Sequence, residues 1–412
     1  MRNPGDYVRG LRRHGWSSFR IIADRSICSL AESNLRLGSK RSVAKAATRI
    51  YRWPLAQKFW DTTRIDLLSA SEYELLVTSL LRNKRWQDAV NVADFAELQG
   101  LSGLKVALAK AEALWQLKDQ SAFEEAREHA IDKLTNPSAA AISLIRNENQ
   151  VVNIASRLEL LLATEAHLDA IRAKAETLRV EGDGSKAFVF WNSGFHSAPG
   201  IVSTCVAQQR KIYGDRLVQL TAKNLHEHID VPNPLKRVAK LWPANFSDAL
   251  RVGLLAKHGG LWLDATVYTT ENSLVHQGKY LAGDFFVFNY NGPRIASWFM
   301  LSKPGSYQAR LLYAAMLDYW SRNRKLKNYF LFHDFFEVFY HLDEKFRHEF
   351  DRATNLSASP CNLVGRKLLW ADADLNALNE ALKAQPVQKL TYKPGNREHG
   401  SNTLFSQLSR RA

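Results

Sequence analysis

At 412 residues, with 46% hydrophobic and 24% charged side chains, the chain has a globular composition and enough length for two domains and a large core. Its net charge of +15 suits acidic partners (nucleic acid, an anionic membrane or a diphosphate), but the excess is local: residues 1–53 hold twelve Lys or Arg against Asp6, Asp24 and Glu32, a net of +9. The remainder is only mildly basic, so no nucleic-acid-binding surface is indicated, and no stretch approaches the ~20 apolar residues of a membrane-spanning helix. Cys28, Cys205 and Cys361 are widely spaced and form neither a metal pattern nor a disulfide framework, which fits a reducing, cytoplasmic setting.

Residues 1–60 read as a basic arm carrying Trp16, Phe19, Tyr51, Trp53, Phe59 and Trp60. Three readings stand: an Arg- and Ser-rich start of the organelle-transit kind, an arm that touches the anionic inner membrane surface peripherally, or a solvated arm with no partner. Residues 61–181 read as an all-α domain of helical hairpins. Tyr73, Leu76, Val77 and Leu80 share one helical face; Ala89, Val90 and Ala93 follow Trp86, then Ala107, Ala111 and Leu114, then Phe123, Ala126, Ala130 and Ile131. The spacing of Ala89 and Ala126 suits a loose repeat of the tetratricopeptide type; a plain helical bundle fits as well.

Gly182-Asp-Gly184 breaks the helical period, and the domain boundary is expected there. Next come a strand at Lys186–Trp191, a loop at Asn192–Gly194, a helix over Pro199–Tyr213, a strand at Arg216–Leu220 and a helix over Ala222–Ile229. This alternation predicts a parallel sheet covered by helices, with ligands beyond the carboxyl ends of the strands. Trp191 and Asp264 both fall at such ends, which argues for one shared cleft.

Residues Ser247–Tyr268, SDALRVGLLAKHGGLWLDATVY, carry the densest pattern in the chain. Ser247 is the expected N-cap, with Asp248 in the first turn, where the helix dipole favours negative charge. Asp248 and Arg251 share a face by their three-residue spacing. Gly259-Gly260 ends the helix, and an alternating strand follows, with Trp262, Asp264, Thr266 and Tyr268 on one side.

The form S-D-x-x-R, an apolar helix, then G-G-x-W-x-D resembles the core of the capsular polysaccharide synthesis glycosyltransferase family, related to glycosyltransferases with a DxD sugar-binding region. Phe188–Gly194 with Ala198-Pro199, Pro293–Phe299, Tyr329–Asp334 and Lys389–Lys393 look like other segments of that family, so the resemblance spans roughly 186–408. It implies an α/β, GT-A-like (Rossmann-like) glycosyltransferase domain over 182–412, behind the helical one. It also implies a nucleotide-sugar donor, with UDP first by family habit, a glycan or lipid-linked acceptor, and retention of configuration. Asp248 and Arg251 would contact the donor's ribose and sugar, and Asp264 would lead the DxD position. A divalent metal, Mn²⁺ or Mg²⁺, is the usual partner there, since it neutralises the charge that grows on a departing diphosphate. Here Thr266 stands where the second carboxylate belongs, so one Asp must act with other ligands or with basic side chains.

Candidates for that help lie in the polar loop Lys393–Asn402. Lys393 and Arg397 are expected to pair with phosphate, and His399, Ser401 or Asn402 to reach the metal. Trp191 is a candidate stacking platform for the nucleobase and, more plainly, a core tryptophan. Trp262 walls the cleft beside Asp264. Asp334 either orients the acceptor or is a satisfied helix carboxylate. Two rivals remain: a non-catalytic helical-repeat scaffold with a degenerate transferase domain, motivated by Thr266, and a basic adaptor acting through residues 1–53.

Overall fold

The structure, a computed structural model, describes residues 44–45, 47–48, 53–61, 63–147, 151–395 and 400–410. The expectations placed on residues 1–43, on Arg397 and on His399 lie outside them. The chain divides into two compact units, Met1–Glu159 and Leu160–Ala412.

The first unit is a succession of helices: α1 (Trp53–Trp60), α2 (Ala70–Arg82), α3 (Trp86–Leu98), α4 (Leu104–Leu117), α5 (Gln120–Asp132) and α6 (Ala139–Arg146). Neighbours from α1 to α6 pack on one another across short turns. Starts are set locally. The Ser69 N–H donates to Glu72 Oε2 at 2.9 Å, closing a capping box at α2, and Asp119 and Ser138 cap α5 and α6. Small residues make the seams: Ala89 and Ala93 of α3, Ala109 and Ala113 of α4 and Ala126 of α5 are buried, and Tyr73, Val77 and Phe123 fill the space between them. No strand occurs among the described residues of this unit.

The second unit opens earlier than expected. Its helix α7 (Leu168–Thr177) packs on α11 (Tyr307–Arg322) and buries Ile171 and Ala175. Arg172 donates to the fully buried Asp343 at 2.7 and 3.0 Å, where the Tyr307 hydroxyl also donates at 2.8 Å. The division between the two units falls at Glu159/Leu160, ahead of the break in helical period at Gly182–Gly184. The Gly182–Gly184 stretch is strapped down, with Glu181 and Gly184 amides bonded to Lys257 and His258 carbonyls.

The sheet unit contains β1 (Ala187–Phe190), α8 (Gly200–Tyr213), β2 (Leu217–Leu220), α9 (Asn233–Leu241), α10 (Pro243–His258), β3 (Gly260–Asp264), β4 (Val267–Thr269), β5 (Phe285–Asn291), β6 (Arg294–Ser302), α11, α12 (Leu331–Leu342), α13 (Leu363–Arg366) and β7 (Val387–Lys389). The main sheet runs β2-β1-β3-β6-β5. β1 is parallel to β2 and β3, as the alternation of those strands with helices predicts, while β3–β6 and β5–β6 are antiparallel, so the sheet as a whole is mixed. Phe190 pairs with Asp264, which sets the carboxyl ends of β1 and β3 side by side.

Three further local expectations change. Residues Ala222–Ile229 hold only a single 3-10 turn, Leu225–Glu227, because Asn224 bonds the backbone at Thr221 and Gln219 and takes the chain into a turn instead. Helix α10 starts at Pro243, whose fixed φ suits the first helical position, so Ser247 is interior and Asp248 lies beyond the first turn. The strand after Gly260 is broken at Ala265–Thr266. β4 leaves the main sheet there and pairs with β7 in a separate two-stranded sheet. The buried Gln209 of α8 holds the bend, its amide donating to the carbonyls of Asp264 (3.1 Å) and Val267 (2.7 Å). Gly260 is required where β3 begins: φ is +89° and a Cβ would come within 2.2 Å of the Lys186 carbonyl oxygen.

The Asp343 knot yields a direct test of how α7 is held to the sheet unit. Asp343→Ala leaves Arg172 and Tyr307 without their shared acceptor and uncaps the helix that follows, which is expected to cost about 2–3 kcal/mol. Urea unfolding of the full chain should show the transition of the sheet unit moving to lower denaturant. An unmoved transition would mean that α7 is not held to the sheet unit by this contact.

Candidate functional site

A cavity of about 970 Å³ opens at the carboxyl ends of β1 and β3. It is where strand order places a ligand in an open α/β sheet. Its floor is built from α10, β3, β6 and β7, one of which enters from the separate two-stranded sheet.

Asp264 is the centre. Its Oδ1 accepts from Trp262 Nε1 at 3.1 Å and lies 3.4 Å from Arg251 Nη2; its Oδ2 accepts from Lys389 Nζ at 3.0 Å. The same ammonium also donates to Thr266 Oγ1. Arg251 reaches Asp248 at 3.2 Å, so the three-residue spacing does bring that pair together, buried and not as a surface pair. Arg251 Nη1 donates to both the carbonyl and the hydroxyl of Ser297 at 2.6 Å, Nε donates to the Ser247 carbonyl at 3.3 Å, and the guanidinium stands 5.3 Å from the Trp262 ring centre. All of this guanidinium's nitrogens are engaged within the protein, so Arg251 acts as a clamp.

Lys389 reaches the site through register. Val267 pairs with Lys389 across β4–β7, and the Leu390 amide donates to the Thr266 carbonyl at 2.9 Å. Helix α13 backs the strand closely: a Cβ at Gly365 would come within 2.2 Å of the Lys389 carbonyl oxygen.

The charges in the site are set by competition between burial and neighbours. For Asp264 burial pushes the carboxyl up, but Lys389, Arg251 and the bonds from Trp262 and Lys389 outweigh it and hold it down at about 2. For Asp248 burial dominates, Arg251 offsets only part of it, the Asp264 charge adds to it, and the carboxyl rises to about 6. His333 of α12 is lowered to about 4 by burial and then by Arg251; its Nε2 is 3.3 Å from Ser297 Oγ.

A family model described as "Capsular polysaccharide synthesis protein" matches residues 147–408. The chain belongs to this family. Comparison with curated proteins and with solved structures returned no match. Membership gives the chain a role in polysaccharide biosynthesis and the character of a glycosyltransferase-like enzyme, on a mixed α/β architecture behind a helical region. Among the described residues no helix is long and apolar enough to cross a membrane.

Seven of the residues singled out from the sequence line this same cavity: Trp191, Asp248, Arg251, Trp262, Asp264, Thr266 and Lys393. Trp191 is half-buried, edge-on to Tyr392 at 5.3 Å, so it is both a packed tryptophan and a cavity wall. Asp334 is not among the lining residues; it accepts from Asn328 Nδ2 at 2.6 Å, the arrangement of a satisfied helix carboxylate. Successive helical residues diverge by about 100°, and it is His333 that faces the cavity. Ser401 and Asn402 are likewise absent from the lining; their side chains face each other at 3.5 Å, and the Asn402 carbonyl accepts from Ala373 N–H.

The described residues do not fit a divalent cation. Both oxygens of Asp264 are engaged by cations or N–H donors, Asp248 is bound to Arg251, and no cluster of three or more His, Cys, Asp or Glu suited to a metal is present among them. Lys389, Ser297, His333, Arg366 and Tyr392 also line the cavity, and the sequence alone assigns none of them a role. Lys389 carried a usable signal, a lone lysine closing the short strand Val387-Gln388-Lys389 ahead of Leu390. The others are single polar or aromatic residues whose direction only packing decides.

The pH behaviour of His333 checks the site's electrostatics. A histidine lowered below its ordinary 6.5 contributes stability that is fully present above that value and is lost as pH falls through about 4. Imidazole NMR should find His333 still neutral at about pH 5.5, a unit below the ordinary histidine midpoint. A midpoint near 6.5 would show that the ring is open to solvent and not wedged beside Arg251.

Proposed function

We propose that this chain is a hexosyltransferase that moves a sugar from a nucleotide-sugar, UDP-linked in the first instance, to a hydroxyl of a surface polysaccharide or lipid-linked glycan. One observation carries the reading: among the described residues the cavity is lined by Arg251, Arg366, Lys389 and Lys393 against the carboxylates of Asp248 and Asp264. Four basic side chains facing two carboxylates, in a chain otherwise only mildly basic beyond its first residues, suit a diphosphate.

In this reading Lys389, Lys393 and Arg366 receive the phosphates, and the Trp191–Tyr392 wall offers a face for the base. Arg251 is a positioning residue: its bonds to Ser297 and Ser247 fix Asp264, which in turn aims the Lys389 ammonium. As the bond from the sugar's anomeric carbon to the diphosphate breaks, negative charge grows on the leaving oxygen, and a fixed cation there stabilises the transition state more than the ground state. Tyr329 and Phe330, more than half exposed and at the edge of the cavity, suit stacking of an acceptor sugar ring. A lipid-linked acceptor would bring the chain to an anionic membrane surface, with the basic arm as the contact.

Slow hydrolysis of nucleotide-sugars in the absence of acceptor tests the reading. The wild-type chain should release nucleoside diphosphate. Asp264→Asn should lower that rate on the order of 10²–10³-fold with circular dichroism unchanged. Absence of hydrolysis and of transfer in the wild-type chain, across UDP-, GDP- and TDP-sugars, would favour the scaffold reading instead.

A further inference from the structure

The Asp264-Ala265-Thr266 triplet has the length of a metal-binding D-x-D but not its chemistry, and one side chain spans it. The Lys389 ammonium donates to Asp264 Oδ2 at 3.0 Å and to Thr266 Oγ1, the first and third positions of the triplet. A hard divalent cation held there would need those same oxygens at about 2.0–2.6 Å, together with several more. It would also sit within a few ångströms of an ammonium and a guanidinium. Two like charges at ~4 Å repel by several kcal/mol at the effective dielectric of a protein surface, and a doubly charged ion by more.

Lys389 is not a wandering surface lysine. Its backbone is fixed by pairing with Val267. The Gly365 contact backs its carbonyl, and the Val364 amide holds Gln388 Oε1 at 3.2 Å. Asp264 ends a strand of the main sheet, and the two-stranded sheet that begins just after the triplet brings Lys389 to the same point. With two of its N–H groups spent on the triplet, the third has no protein acceptor among the described residues, and the side chain borders the cavity.

We propose that the Lys389 ammonium takes the place of the divalent cation at this triplet, so that the chain binds a nucleoside diphosphate without metal. The inference rests on the nucleotide-sugar reading above and deepens it. Lys389 then serves as the cation that touches the phosphates, and Thr266 is suited to the role: a hydroxyl accepts from an ammonium without adding a second negative charge that would weaken the diphosphate's binding.

The test uses the full chain and UDP, GDP and TDP as probes, by titration calorimetry in EDTA and in Mn²⁺, with Mn²⁺ alone followed by electron paramagnetic resonance. The preferred diphosphate is expected to bind with a Kd that changes less than about threefold between EDTA and Mn²⁺, and Mn²⁺ alone is expected not to bind at sub-millimolar concentration. Lys389→Ala should weaken binding in EDTA tenfold or more. Because it vacates the space between Asp264 and Thr266, Mn²⁺ should recover part of the loss, a gain of metal dependence that a merely structural lysine would not produce. Lys389→Arg should retain metal-independent binding, weaker than wild type. Tenfold or greater tightening by Mn²⁺ in the wild-type chain would overturn the inference while leaving the donor reading intact, as would Lys389→Ala binding in EDTA like wild type. Binding of no diphosphate under either condition would overturn the donor reading and this inference with it.

Discussion

The Asp264 carboxylate, held between two cations from different elements, is the contact on which the site depends. Alone at the end of a strand and three-quarters covered, it would be driven towards its neutral form by burial. Lys389 and Arg251 reverse that and keep it charged. Each partner belongs to a separate part of the unit: Arg251 to the long helix before β3, and Lys389 to a strand 125 residues further on. The clamp therefore exists only when helix, main sheet and small sheet are all in register. Such a pair adds little net stability once desolvation is counted, but it specifies geometry strongly, because removing one partner strands the other charge.

The two cations are not equivalent. Arg251 is buried and saturated by Ser247, Ser297 and the two carboxylates, and a planar guanidinium suits a fixed multidentate role. Lys389 is about a quarter exposed, with a compact ammonium at the cavity wall. In the proposed reading this is a division of labour: one cation orients the acid, and the other meets the ligand. The backbone makes room for it at Gly260, where β3 passes Lys186, and at Gly365, where α13 lies against Lys389.

The neighbouring acid behaves differently for the same reason. Asp248 shares Arg251 but lies deeper and beside another negative charge, so its carboxyl is raised where that of Asp264 is lowered. Two carboxylates competing for one guanidinium cannot both be fully compensated, and Asp264 prevails because Lys389 supports it alone. Sign and magnitude here follow from the number of cations in reach.

Much of this was legible in the residues. Helical spacing of apolar residues located the N-terminal helices, since one buried face leaves a period in the chain. The helix, double glycine and aspartate pattern indicated the family to which residues 147–408 belong and brought Asp248, Arg251 and Asp264 to one place, because all three lie within a single local helix-turn-strand. Tertiary structure alone decided the rest. It joined α7 to the sheet unit, because Arg172 meets the buried Asp343 from far away in the chain. It made the sheet mixed, because pairing direction is not written in a strand's own alternation. It turned His333 towards the cavity in place of Asp334, a rotation about a helix axis that only packing sets. And it placed Lys389 across Asp264 and Thr266, since the strand pairing that joins them links residues far apart in sequence, and nothing local to either segment records it.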